Sequence, residues 1–119
     1  MALMALAIPI LPGKTQEWRD FIGEVNGSRH QEFADSRRNA GVHERTFLQQ
    51  TPMGDLVIVT LEGDDPAQAF GRLMTATDEF SKWFGEHAMS VHGDFSAPAA
   101  GSPSELVVDS DRALQATSR

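Results

Sequence analysis

Six consecutive residues, Leu56-Val57-Ile58-Val59-Thr60-Leu61, limit the fold of this chain more than any other feature. Successive side chains of a strand point to opposite faces, so a strand that is apolar at both odd and even positions has to be covered on both sides. A run this short and this rich in β-branched residues reads as strand rather than helix. Before it come Pro52-Met53-Gly54-Asp55, where proline presets φ and glycine permits φ > 0, and a second strand over residues 42–51. The two strands, 42–51 and 56–62, are expected to form a hairpin. Helices can cover one face of its sheet, and the other face then needs a partner.

The remaining elements follow from local signals. Residues 2–10 read as a buried first strand closed by Pro12-Gly13. They do not read as an export signal, because no Lys or Arg precedes them and Pro12-Gly13-Lys14 does not resemble a cleavage site. The stretch is also too short to span a membrane. Thr15 is placed to cap a helix with Glu17 in its first turn, and Trp18, Phe21, Ile22 and Val25 fall on one apolar stripe. Asn26-Gly27 interrupts that stripe. Ser28 and Gln31 then have capping-box spacing, so a second helical segment is expected to run to Ala40 and stop at Gly41. Asp65-Pro66 with Gln68 starts another helix, whose apolar face is Phe70, Leu73 and Met74. Asp78 restarts it, and Phe80, Trp83, Phe84, His87 and Val91 continue at helical spacing to Gly93. Residues 96–104 read as loop, Leu106-Val107-Val108 as a short last strand, and residues 111–119 as a disordered tail after a single domain over 1–110.

A chain of 119 residues has room for one such domain and one core. The net charge of -7, with no basic run to offset it, argues against a nucleic-acid partner. The absence of cysteine excludes disulfides, thiolate metal sites and a cysteine nucleophile, and fits a reducing cytoplasm. The order strand, helix, strand, strand, helix, strand is the split βαβ pattern, a ferredoxin-like α+β fold with an antiparallel sheet. Helices cover one face of such a sheet, so the doubly apolar strand points to a homodimer with the two sheets packed together.

The chain resembles the dimeric α/β-barrel superfamily, which contains antibiotic-biosynthesis monooxygenases, small polyketide cyclases and stress-response barrel proteins. The resemblance covers about residues 2–108. It rests on the element order, the Pro12-Gly13-Lys14 helix entry and the helix carrying Trp83-Phe84. More narrowly, Val42-His43-Glu44-Arg45, the segment 48–59 and Glu62-Gly63-Asp64-Asp65-Pro66 resemble one small family of that superfamily to which no activity is assigned. The broad resemblance implies a pocket between sheet and helices; it does not imply a single reaction. The chain has no tyrosine, so it lacks the phenol that partners a histidine in some cyclases of this fold.

Candidate chemistry lies in a few side chains. His87 shares a stripe with Trp83 and Phe84, which suits either a core histidine with one hydrogen bond or a general acid/base. His92, just before Gly93, suits either a cation at the negative helix end or a proton carrier. His30 is expected to be exposed. His43, Arg45, Phe47 and Gln49 alternate onto one strand face, where Arg45 could hold a carboxylate or enolate, or pair with an acidic residue across an interface. Trp18 and Trp83 are either core or the walls of a pocket for a flat aromatic ligand. Zinc spacing, a phosphate loop, a dinucleotide fingerprint and a nucleophile elbow are all missing, so no metal or cofactor is expected. Two functional classes remain open. One is a cofactor-independent enzyme of small-molecule or secondary metabolism (cyclase, isomerase, lyase or monooxygenase type) acting on an apolar or aromatic carbonyl compound, with His87 or His92 moving a proton and Arg45 stabilising charge. The other is a non-catalytic ligand-binding or interaction dimer.

Overall fold

The computed structural model describes residues 1–94 and 103–114. The element order is β1 (Ala2–Pro9), α1 (Thr15–Asn26), α2 (His30–Ala40), β2 (Val42–Thr51), β3 (Gly54–Gly63), α3 (Pro66–Thr75) and α4 (Glu79–His92). The chain is therefore α+β. Its strands form an antiparallel sheet in the order β1-β3-β2, with the expected doubly apolar strand in the centre. The hairpin turn is tighter than expected: Thr51 pairs with Gly54, which adopts φ 129°, and only Pro52 and Met53 lie outside the ladder.

The four helices share one face of the sheet. On β3 it is Val57 and Leu61 that enter the core, with Val59 packed against both core clusters, and all three have the same strand parity. One cluster joins Ile10, Trp18, Phe21, Val25, Val57 and Val91; the other joins Ala40, Val42, Leu61 and Ala69. The alternate face of β3, carrying Leu56, Ile58, Thr60 and Glu62, has no helix over it among the described residues. Leu3 and Phe47 on the same side are 64% and 52% exposed.

Two of the expected helix caps form as the local pattern requires. Asp65 accepts the backbone N–H of Gln68, Asp78 accepts that of Ser81, and Pro66 takes the first helical position. Gly41 closes α2 in the left-handed conformation, φ 84°, with its N–H on the carbonyls of Arg37 and Arg38. The other two caps do not form. Lys14 rather than Thr15 stands at the N-cap of α1, and the Thr15 hydroxyl donates to Asp55, 2.5 Å away on β3. The Ser28–Gln31 box is absent because the turn at Gly27 folds the backbone N–H of Arg29 onto the Glu24 carbonyl, so that α2 begins only at His30. The two expected helical segments are thus two separate helices joined by a turn.

The fourth strand expected at Leu106-Val107-Val108 is not formed. Residues 103–109 have no regular structure, although the Ser104 N–H reaches the Ala5 carbonyl at 2.7 Å on the free edge of β1. Three apolar residues between Pro103 and Asp109 can make few ladder bonds, and with no helix above them they remain 59–77% exposed. Most of the expected loop over 96–104 and the end of the expected tail lie outside the described residues. No described helix is long and apolar enough to cross a membrane.

Candidate functional site

Between the sheet and the helices lies a pocket of about 470 Å³, a size suited to a small organic molecule. Its floor is Leu6 and Ile8 of β1 with Val57, Val59 and Leu61 of β3. Trp18, Phe21 and Val25 of α1 form one wall, and Phe70 and Leu73 of α3 another. On the α4 side Phe84, Met89 and His92 line it, and space is left where Ser81, Gly85 and Ala88 turn toward it. These side chains are small, and a Cβ added at Gly85 would meet no atom within 4 Å.

The bulky stripe of α4 is divided: Phe84 lines the pocket, and Trp83 and His87 pack elsewhere. The Trp83 ring lies 5.5 Å from Phe21 and 4.7 Å from the His87 ring, and the Arg29 guanidinium sits 4.5 Å above it. Arg29 is held there by a fork onto Glu32 and by a bond to Glu79, so this corner ties the α1–α2 turn to α4. Trp83 and His87 belong to that packing and do not line the pocket. The His87 Nδ1–H donates to the Trp83 carbonyl at 2.9 Å, one turn back, and its ring stacks on Phe21.

One end of the pocket is polar. Arg37, in the last turn of α2, donates from Nε to Glu44 Oε1 of β2 at 2.7 Å, and the side chains are only 12% and 7% exposed. Glu44 Oε2 accepts from the Thr46 hydroxyl at 2.8 Å, and Arg37 Nη1 donates to Ser36 Oγ at 3.1 Å. The guanidinium lies 4.5 Å from the Phe33 ring and 4.6 Å from the Phe84 ring. An ion pair this far out of water persists only with such added hydrogen bonds and close geometry.

The residues marked from the sequence do not assemble at one site. Trp18, 6% exposed, and His92 line the pocket. His43, Arg45, Phe47 and Gln49 share a face as their alternation requires, but it is the face away from the helices. They stand opposite Glu62, Thr60, Ile58 and Leu56. Arg45 lies 3.5 Å from Glu62 in solvent, with the sheet between it and the pocket. His92 donates from Nδ1 to the Pro9 carbonyl at 2.8 Å. Burial pushes its imidazole below the ordinary histidine range, outweighing the opposite pull of that bond.

The residues that do form the polar end, Arg37, Glu44 and Thr46, were not singled out by the sequence pattern. A signal was nonetheless present. If Val42 and Leu48 face the core, Glu44 and Thr46 face it too, and a carboxylate there needs a cationic partner. His30, exposed as expected, sits at the rim of the same pocket. Among the described residues no three His, Asp or Glu side chains are grouped to hold a metal ion. No protein-family model, curated protein or solved structure matches the chain.

Proposed function

We propose that this chain is a homodimeric small-molecule-binding domain of the dimeric α/β-barrel type, whose ligand is an apolar or aromatic carbonyl compound held between sheet and helices. The open, mostly apolar space with the Arg37–Glu44 pair in its lining carries this reading. Binding is favoured over catalysis by His87, His92 and Arg45 because only His92 reaches that space.

Prodan, a neutral naphthyl ketone whose emission shifts in apolar surroundings, provides the test. It is expected to bind once per chain. Gly85→Leu fills the pocket from α4, and should weaken prodan at least about tenfold while raising the unfolding free energy by about 0.8 kcal/mol through helix propensity. A folded Gly85→Leu protein that binds prodan as the parent does would remove the pocket as the site.

The dimer reading draws on the second face of the sheet, where Leu3, Ala7, Ile58 and Phe47 share a side that no helix covers among the described residues. Light scattering at micromolar concentration should give twice the chain mass of 13.0 kDa. Phe47→Glu, which places a charge in the middle of that face, should return the mass to that of one chain. A parent protein of single-chain mass in ordinary salt would end this part of the proposal.

A further inference from the structure

We infer that the pocket takes a neutral hydrogen-bond acceptor, such as a ketone or quinone carbonyl, and rejects a carboxylate. This inference rests on the pocket reading above and concerns what the Arg37–Glu44 end can recognise.

Both Glu44 oxygens are already engaged, one by Arg37 and one by Thr46. Arg37 is not used up: Nε serves Glu44 and Nη1 serves Ser36, while Nη2 donates to no described residue. Glu44 keeps lone pairs as well, but the unspent N–H groups of Arg37 are charged donors, and they suit an acceptor on the ligand. Charge decides which acceptor. The guanidinium and the carboxylate cancel, so a ligand carboxylate would bring a second anion to a single cation inside an apolar pocket. It would give up its hydration and lie beside Glu44, and both effects oppose binding. A carbonyl oxygen takes the same N–H with far less to desolvate.

The rest of the lining does not reverse this. Besides Arg37 and Glu44, the only lining side chains among the described residues that can carry charge are His30 and His92. His30 is exposed at the start of α2, and burial favours the neutral form of His92.

Competition against bound prodan separates the two ligand types. Methyl naphthyl ketone and naphthoate share a ring system and differ mainly in charge. The ketone should displace prodan from the parent protein at a concentration at least about tenfold lower than naphthoate does. Glu44→Gln removes the pocket's own anion, and should improve naphthoate by about tenfold relative to the ketone. Naphthoate binding the parent as tightly as the ketone would overturn the inference, and this comparison needs no variant. A folded Glu44→Gln protein with unchanged naphthoate affinity relative to the ketone would overturn it too. If neither compound displaces prodan, the pocket reading itself fails, and this inference with it.

Discussion

Truncating Phe21 to alanine is expected to lower the unfolding free energy by about 4 kcal/mol. Phe21 is 3% exposed and stands where α1 meets α4. Its ring touches three others: Phe84 edge-on at 5.0 Å, Trp83 tilted at 5.5 Å and His87 stacked at 5.5 Å. Removal loses the burial of a large apolar side chain and these ring contacts together. Collapse cannot recover much, because Phe21 also forms part of the pocket wall and the new void would join an existing space. Domains of this kind have a total stability of about 5–15 kcal/mol, so the variant should be close to unfolding at room temperature. The same truncation at Phe47, 52% exposed on the outer face, should cost far less in the isolated chain. Urea titration of both variants checks the pair. A Phe21→Ala midpoint close to that of Phe47→Ala would show that the α1–α4 contact does not hold the core.

Some features set within a few residues of one another were legible in the sequence, and features set across the fold were not. The Asp65 and Asp78 caps depend only on an aspartate three positions before a free backbone N–H, and both formed. The central strand declared itself by being apolar on both faces. In β2 the alternation was readable, but which face met the helices was not. Val42 and Leu48 argue for one face and Phe47 for the other, and only pairing with β3 decides, by setting Leu48 beside Val57 and Phe47 beside Ile58. That single choice moved Arg45 away from the pocket and brought Glu44 into it. In α4 the large residues stood out, whereas the pocket depends also on Ser81, Gly85 and Ala88. Small side chains signal space only once the neighbouring elements are known to leave it unfilled. Leu106-Val107-Val108 shows the same limit: its strand propensity was visible, and its lack of a ladder was not.

Alanine at Gly63 should be as damaging as alanine at Gly85 is harmless. Gly63 ends β3 and pairs with Ala2 on one side and Val42 on the other. A Cβ there would fall well inside 3.0 Å of the Gly41 carbonyl oxygen and 3.3 Å from Val42 Cγ1. The obstacle is backbone, so no side-chain rotation relieves it. Gly41 has little room to move, since its left-handed turn carries the N–H that closes α2 on Arg37 and Arg38. A strained fit of this kind costs about 3 kcal/mol, near the upper end for an overpacked core. The strain should also reach the pocket, because Gly41 joins the helix that carries Arg37 to the strand that carries Glu44. Gly63→Ala should therefore weaken binding of a neutral ketone as well as lower stability. At Gly85 the added methyl meets nothing within 4 Å, and should raise stability by about 0.8–1 kcal/mol through helix propensity. Chemical denaturation of the two variants gives shifts of opposite sign if the β2–β3 register and the open face of α4 are right. A Gly63→Ala protein as stable as its parent would mean that the strand ends do not meet Gly41 in this way, and that the Arg37–Glu44 pair is not held by that junction.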